Sequence, residues 1–289
     1  MEAFLFPGQG SQKRGMGQGL FDTVGEFRQL ENEIDSLVGY SVRSLCLNDP
    51  ANQLKETQYT QPSLYVVNAL WYYNAMQQGK RPSYLAGHSL GEYNALLASG
   101  VFDFITGLRL VKKRGELMAE AKNGSMAAVI GVPPDRLAHL LQAHQLASVD
   151  IANANSPTQT VISGLVDDVK RAQPILQRAG AQHCIPLPVS AAFHSRYMAQ
   201  AATAFEQFLK PFKLNRPTLP VISNVTARAY PSDDPSAIKS LLVRQIVSPV
   251  LWQQSIQYML GEGVVTFTEL GPGTVLTRLI QQIQKFEQR

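Results

Sequence analysis

Short apolar segments alternate with amphipathic segments along the first part of the chain. Residues 3–6 predict a strand, and residues 83–86 predict a second short strand. Helical patterns fill most of the chain between them, and residues 91–99 and 105–121 predict two further helices. Strands that alternate with helices in this way indicate a protein of the α/β class.

The pattern changes after residue 124. Strand, helix, two strands, helix and strand follow in the order of a ferredoxin-like α+β unit. Pro174 is expected to kink the second helix of this unit or to delay its start. The predicted strands are 126–132, 149–153, 160–163 and 183–189, and the predicted helices are 134–145 and 166–179, with a turn around Asn155, Ser156 and Pro157.

The α/β pattern resumes in the last third of the chain. Helices are predicted at 198–209 and 237–247, strands at 221–224 and 264–270, and a final helix after Gly271-Pro272-Gly273. We therefore expect two domains. A large α/β domain comprises residues 1–124 and 191–289, and a small ferredoxin-like domain comprises residues 125–190.

Composition excludes several classes of protein. Of the 289 residues, 45% are hydrophobic and 17% are charged, and 26 basic against 22 acidic residues give a net charge of +4. The chain has no dense Lys/Arg run of the kind that indicates nucleic-acid binding. It also has no stretch of about 18 apolar residues that would predict a membrane span. The N-terminal residues lack a signal-peptide pattern, so a cytoplasmic location is expected. The two cysteines, Cys46 and Cys184, predict neither a disulfide framework nor a metal site.

Residues 87–91, Gly-His-Ser-Leu-Gly, match the GxSxG motif between a predicted strand and a predicted helix. In that setting a sharp turn exposes the serine hydroxyl as a nucleophile, and the following backbone N–H can join an oxyanion hole. The alternative is a glycine-flanked turn whose serine only caps the helix. The strand–turn–helix context favours Ser89 as a nucleophile.

A serine nucleophile needs a base, and His194 is the preferred candidate among five histidines. It follows a predicted strand in a loop, whereas His139 and His144 lie in a polar helical segment. His88 adjoins Ser89, and its side chain is expected to point away from the site. Position alone leaves a structural role for His194 open.

Arg114 lies on the edge of the apolar stripe of the predicted helix 105–121. At about 100° per residue, it falls roughly 60° from Val111. An arginine that faces inward needs a carboxylate partner, supplied by the protein or by a substrate. The alternative is an arginine that reaches solvent or forms a surface ion pair.

Six short motifs occur along the chain: residues 6–12 (FPGQGSQ), 60–62 (TQP), 87–92 (GHSLGE), 113–115 (KRG), 193–195 (FHS) and 269–273 (ELGPG). They have the order found in malonyl-CoA:acyl carrier protein transacylases, and the chain resembles that family over nearly its whole length. The resemblance implies a hydrolase-like α/β large domain with an inserted ferredoxin-like α+β small domain, in agreement with the expectation above.

The resemblance also implies roles for single residues. Ser89 would be the catalytic nucleophile and His194 its base. Arg114 would bind the free carboxylate of the malonyl group, and Gln61 and Phe193 would line the substrate site.

Main-chain groups complete the implied site. The backbone N–H groups of Gln9 and Leu90 would form the oxyanion hole, and a main-chain carbonyl near Gln245 would orient the histidine. Malonyl-CoA would be the donor and the phosphopantetheine thiol of an acyl carrier protein the acceptor. No permanently bound cofactor and no metal are expected, and neither are nucleic acid or membrane partners.

Phe193 refines the resemblance. Enzymes of fatty-acid synthesis commonly have a serine before the histidine, whereas a phenylalanine there is similar to malonyl-selective acyltransferases of polyketide synthases. Residues 149–153, 190–195 and 220–228 resemble the free-standing enzymes that serve synthases lacking their own acyltransferase. We therefore expect a discrete protein that acts in trans on polyketide synthase carrier proteins.

Two rival functions remain at this point. The first is a thioesterase or esterase that uses the same Ser–His pair, with Asp103, Asp135 or Asp150 as a third member. The second is a catalytically silent module that only docks carrier proteins. The silent module predicts a disrupted Ser–His pair, whereas both residues are present.

Overall fold

Eight strands form two separate four-stranded sheets in the computed structural model, which describes residues 1–287. Residues 288 and 289, the end of the predicted large domain, lie outside the described residues. The strands are β1 (Glu2–Phe6), β2 (Tyr84–Gly87), β3 (Gly124–Ile130), β4 (Val149–Ser156), β5 (Gln159–Leu165), β6 (His183–Pro186), β7 (Val221–Ile222) and β8 (Thr266–Glu269).

Helices cover the sheets and connect most of the strands. A short 3-10 helix, Arg196–Met198, precedes the ninth α-helix. The α-helices of the described residues are α1 (Leu20–Thr23), α2 (Gly25–Val38), α3 (Val42–Asn48), α4 (Thr57–Gln77), α5 (Gly91–Ala98), α6 (Phe104–Glu120), α7 (Pro134–Ala143), α8 (Val166–Arg178), α9 (Ala199–Leu209), α10 (Pro235–Val247), α11 (Trp252–Gly261) and α12 (Val275–Glu287).

The first sheet is parallel, with strand order β7-β2-β1-β8. Its central strand β1 is buried on both faces: Phe4 and Phe6 belong to one hydrophobic cluster, and Ala3 and Leu5 belong to another. Burial on both faces explains why the segment reads as a continuous apolar run. Because the strands are parallel, the segments that follow β1, β2 and β7 meet at one edge of the sheet.

The second sheet is antiparallel, with strand order β4-β5-β3-β6. Both helices of this unit pack on it, through residues that include Leu137 on α7 and Val169 on α8. The element order and pairing are those of a ferredoxin-like unit, so that prediction and the mixed α/β class are confirmed. The domain boundaries at 124/125 and 190/191 stay a prediction.

Backbone hydrogen bonds join β4 of the antiparallel sheet to the segment around Val250. The Ala154 N–H donates to the Val250 carbonyl, and the Val250 N–H donates to the Ala152 carbonyl, both at 2.9 Å. Strand β4 is thereby fixed to the segment that precedes α11. Among residues 1–287, no helix combines the length and apolar character that crossing a bilayer requires.

Three local features differ from the predictions. Helix α8 begins at Val166 and runs through Pro174, so its start is not delayed and a kink at Pro174 stays a prediction; this proline is exposed, so the carbonyl that it leaves unpaired can bond to water. The turn of the hairpin is at 157–158, because Asn155 and Ser156 still belong to β4. Helix α11 was not predicted, although Trp252 and Ile256 are buried at helical spacing.

Candidate active site

Ser89 lies in the tight turn between β2 and α5. Its φ of +51° is in the left-handed region, which a non-glycine residue rarely adopts. A Cβ at Gly87 would lie 1.9 Å from the Gly91 carbonyl carbon, and a Cβ at Gly91 would lie 2.0 Å from the Phe6 carbonyl oxygen. Only glycine fits either position, so the GxSxG spacing is explained by close backbone packing around a half-buried serine.

His194 is hydrogen-bonded to Ser89. The Ser89 Oγ lies 2.7 Å from His194 Nε2, and His194 Nδ1 lies 2.8 Å from the main-chain oxygen of Gln245. Because a carbonyl oxygen only accepts, Nδ1 carries the ring proton and Nε2 accepts from the serine hydroxyl. The ring is therefore oriented to take the hydroxyl proton, with a carbonyl in the position that an acid occupies in a Ser-His-Asp triad.

The surroundings of His194 keep its ring neutral. Burial above all, together with the positive charge of Arg114, lowers the pKa of His194 to about 3, against the hydrogen bond to Gln245. A neutral imidazole is the form that accepts a proton. The free site thus holds its base ready across the neutral range of pH.

Arg114 is buried beside the nucleophile, with 1% of its surface exposed. One terminal nitrogen donates to Gln61 Oε1 at 2.7 Å, and the other donates to Gln245 Oε1 at 2.9 Å and to Ser89 Oγ at 3.2 Å. The guanidinium also lies over the Tyr93 ring, 5.6 Å from its centroid. All of these partners are neutral.

Within residues 1–287, no carboxylate lies within 4 Å of Arg114, and its Nε has no hydrogen-bond partner. Burial lowers the pKa of Arg114 because it penalises the charged form. A buried, unpaired guanidinium is costly unless an anion joins it. The geometry supports an acidic ligand at this position, next to the Ser89 hydroxyl.

Two backbone N–H groups flank the nucleophile. Leu90 follows Ser89 at the start of α5, and Gln9 follows β1 in a loop that contacts the same cavity. In the described part of the chain, neither N–H donates a hydrogen bond to a protein acceptor. Both groups are therefore free to donate to an oxygen that develops negative charge beside Ser89.

The predicted site residues come together in a single cleft between the two sheets. Seven of the eight predicted residues line the cleft: Gln9, Gln61, Ser89, Leu90, Arg114, Phe193 and His194. The eighth, Gln245, is connected to them by its hydrogen bonds to His194 and Arg114. Apolar side chains of the small sheet, Met126 and Val161, form the facing wall of the cleft.

His88 also lines the cleft, and the expectation that its side chain points away from the site stays a prediction. Its Nε2 lies 2.9 Å from Asn155 Oδ1, and its ring lies 5.5 Å from that of Trp252. Burial lowers the pKa of His88. It connects the serine turn to β4 of the small sheet.

Asn224 is a further residue of the site that sequence reasoning missed. Its Oδ1 accepts from the Ser89 backbone N–H at 2.7 Å, and its Nδ2 donates to the Gly87 carbonyl at 2.7 Å. The side chain thus spans the strained turn. A polar residue two positions after β7, which pairs with β2, was the available signal for this role.

No candidate metal centre is found among residues 1–287, where no group of three or more His, Cys, Asp or Glu side chains could hold an ion. The expectation of a metal-free site stays a prediction. The described groups supply a nucleophile, a base, two oxyanion donors and a buried cation, which together suit acyl transfer with an acidic acyl group.

Known proteins resemble this chain over nearly its full length. Residues 3–288 match the acyl transferase domain family. A polyketide biosynthesis malonyl CoA-acyl carrier protein transacylase of Bacillus velezensis is 52% identical over 98% of this chain and 97% of its own length.

Two solved structures share the fold. A malonyl CoA-acyl carrier protein transacylase from Burkholderia pseudomallei superimposes with a TM-score of 0.92 at 46% identity and covers 99% of this chain and 98% of its own. A malonyl-transacylase in complex with its type II PKS acyl-carrier protein has a TM-score of 0.93 at 36% identity and covers 98% of this chain and 93% of its own.

The charge of Arg114 predicts a measurable effect on His194. In Arg114→Ala the pKa of His194 should rise, because a positive charge that disfavours the imidazolium is gone. Arg114→Lys keeps a positive charge and should hold the pKa of His194 near its low value. An NMR titration of the histidine rings, with the His194 signal assigned through His194→Gln, measures both. An unchanged pKa in Arg114→Ala, or equal rises in both variants, would show that the charge of Arg114 does not act on His194.

Proposed function

The chain belongs to the acyl transferase domain family, and on that premise we propose that it is a malonyl-CoA:acyl carrier protein transacylase. The observation that carries the proposal is the buried Arg114 guanidinium, whose partners within residues 1–287 are all neutral and which donates to Ser89 Oγ at 3.2 Å. Such a site suits an acyl group with a carboxylate of its own. The malonyl group is of this kind, and the relatives described above carry malonyl transfer in their names.

The first half of the reaction moves the malonyl group to the enzyme. Ser89 Oγ attacks the thioester carbonyl carbon while His194 Nε2 takes the hydroxyl proton. The carbon–sulfur bond then breaks, and the imidazolium returns that proton to the leaving sulfur, so that coenzyme A departs as a thiol. A malonyl ester remains on Ser89.

The second half reverses these roles. His194 Nε2 takes the proton of the phosphopantetheine thiol, and the sulfur attacks the ester carbonyl. The bond to Ser89 Oγ breaks, and the serine recovers the proton from His194. In both halves the backbone N–H groups of Gln9 and Leu90 would stabilise the oxyanion, and the loss of one such donor typically costs about 3 kcal/mol.

Arg114 would bind the malonyl carboxylate with both terminal nitrogens. The contact fixes the far end of a short acyl chain and so aligns its carbonyl with Ser89. A rival function, an acyl-thioester hydrolase, is not supported by the relatives described above, which are named transacylases. The rival docking module predicts a disrupted Ser–His pair, against the observed 2.7 Å contact.

We propose a polyketide synthase carrier protein as the acceptor, acted on in trans. The 52% identity to a polyketide biosynthesis transacylase supports this assignment, and so does the similarity to a transacylase solved with a type II PKS carrier protein. The expectations of a cytoplasmic location and of no permanently bound cofactor stay predictions.

The nucleophile has a direct test. After brief exposure to malonyl-CoA, the intact mass of the protein should increase by one malonyl group, and added carrier protein should remove it. Ser89→Ala should gain no malonyl mass and load no carrier protein, because no other group can hold the acyl chain. Ser240→Ala, at an exposed position of α10, serves as the matched control. Malonylation of Ser89→Ala would refute the nucleophile, and release of free malonate without carrier protein at the transfer rate would favour the hydrolase.

Phe193 predicts selectivity against a branched acyl group. Its side chain is 7% exposed and lines the cleft next to His194. The phenyl ring should fill the space that an α-methyl group needs, so malonyl should be preferred over methylmalonyl by roughly 10–200-fold. Phe193→Ser should narrow this gap, whereas Phe193→Leu, which keeps an apolar side chain, should narrow it less.

Competition between the two thioesters, measured by the mass of the loaded carrier protein, gives this ratio directly. A wild-type protein that loads both acyl groups equally would refute the role of Phe193 and the malonyl-selective assignment.

A further inference from the structure

The side chain of Gln245 lies at the junction of three groups beneath the nucleophile, and it is fully buried. Its Oε1 accepts from Arg114 at 2.9 Å. Its Nε2 donates to the Ser89 carbonyl at 2.9 Å and to Glu92 Oε2 at 2.7 Å. These contacts are separate from the main-chain carbonyl of the same residue, which holds His194.

Glu92 is a buried carboxyl group that the proposed reaction does not use. Its Oε1 is hydrogen-bonded to the Tyr230 hydroxyl, and its Oε2 accepts from the Asn224 backbone N–H at 3.2 Å as well as from Gln245. Burial raises the pKa of Glu92 to about 7, and these hydrogen bonds and the charge of Arg114 oppose the rise. Whether or not Glu92 is protonated at Oε1, its Oε2 faces Gln245 as an acceptor.

These contacts fix the orientation of the Gln245 amide. An amide side chain has one end that donates and one end that accepts. Because the Ser89 carbonyl and Glu92 Oε2 both accept, the NH2 end must face them. The oxygen is left for Arg114, and it holds the guanidinium toward Ser89 Oγ.

The amide also separates two opposite charges. The charge of Glu92 acts on Arg114, and within residues 1–287 the two form no ion pair; Gln245 lies between them, hydrogen-bonded to both. A neutral acceptor orients the guanidinium without cancelling its charge, whereas a carboxylate in the same place would form a complete ion pair. Arg114 therefore keeps its charge available for a ligand.

We propose that Gln245, through its side chain, is a positioning residue for Arg114, and that Glu92 fixes the orientation of the Gln245 amide. Arg114, held in this way, selects acyl groups that carry a carboxylate. This inference rests on the proposed malonyl transfer and deepens it. It separates the two parts of Gln245: the main chain orients the base, and the side chain orients the group that binds the malonyl carboxylate.

Three substitutions at position 245 test the side chain while the main-chain carbonyl stays. Gln245→Met keeps the length but removes the amide, and Gln245→Asn keeps an amide that is too short to reach both Arg114 and Glu92. In both variants the ratio of malonyl to acetyl self-acylation, as kcat/KM, should fall about 10-fold or more. The substitution removes a hydrogen bond that orients the charged Arg114 guanidinium, and only the malonyl group has a carboxylate that uses this charge.

Gln245→Glu places a carboxylate against Arg114 and should compete with the substrate. The KM for malonyl-CoA should rise, and the KM for acetyl-CoA, which has no carboxylate to compete, should rise much less. Gln207→Met, at an exposed position of α9, is the matched control for the substitution itself. Circular dichroism of each variant reports whether the fold is retained.

Equal losses on malonyl and acetyl substrates in the folded variants, or an unchanged ratio, would overturn the inference and assign Gln245 a purely structural role. If Gln245→Met does not fold, Gln245→Asn alone decides between these outcomes. A wild-type protein that takes no malonyl group onto Ser89 would instead refute the proposed function, so the two failures are distinguishable.

Discussion

A buried cation, Arg114, has no carboxylate partner in the described part of the chain, and the rest of the site depends on this constraint. Arg114 can remain charged in the interior only because Gln61, Gln245 and the Tyr93 ring solvate it with neutral groups. The same charge helps to keep His194 neutral and therefore basic. A substrate carboxylate completes the pair that the protein leaves incomplete, which ties the choice of acyl group to the electrostatics of the free site.

The members of the site come from several segments that are distant in the chain, and the parallel sheet brings three of these segments together. Gln9, Ser89 and Asn224 follow β1, β2 and β7, so all three lie at the edge where the strands end. This is the edge at which open α/β sheets usually bind ligands. The small antiparallel sheet supplies the facing wall of the cleft, and the chain leaves it through the loop that carries His194. Acyl transfer thus takes place between the parallel-sheet unit and the antiparallel-sheet unit, whose strand and helix patterns already differ in the sequence.

Much of this architecture could be predicted from the sequence, because strand and helix periodicities and the GxSxG turn are local signals. The same holds for Arg114, whose place at the edge of an apolar stripe marked it as unusual. Contacts between distant segments have no such signal: the amide of Gln245 joins residues more than 130 positions away in the chain. Helix α11 was missed although Trp252 and Ile256 have helical spacing, since the polar residues between them obscured the apolar stripe.

Recognition of the acyl carboxylate by Arg114 is the central claim, and a comparison of malonyl with acetyl transfer tests it most directly. Self-acylation by malonyl-CoA and by acetyl-CoA should be measured as kcat/KM for the wild-type protein, Arg114→Ala and Arg114→Lys. We expect malonyl transfer to fall by about 30-fold or more relative to acetyl transfer in Arg114→Ala, because truncating one partner of a buried charge pair costs about 2–5 kcal/mol. Lysine should restore little, since a point charge cannot reproduce the planar guanidinium. Equal losses on both substrates would contradict the account and leave Arg114 as a structural residue.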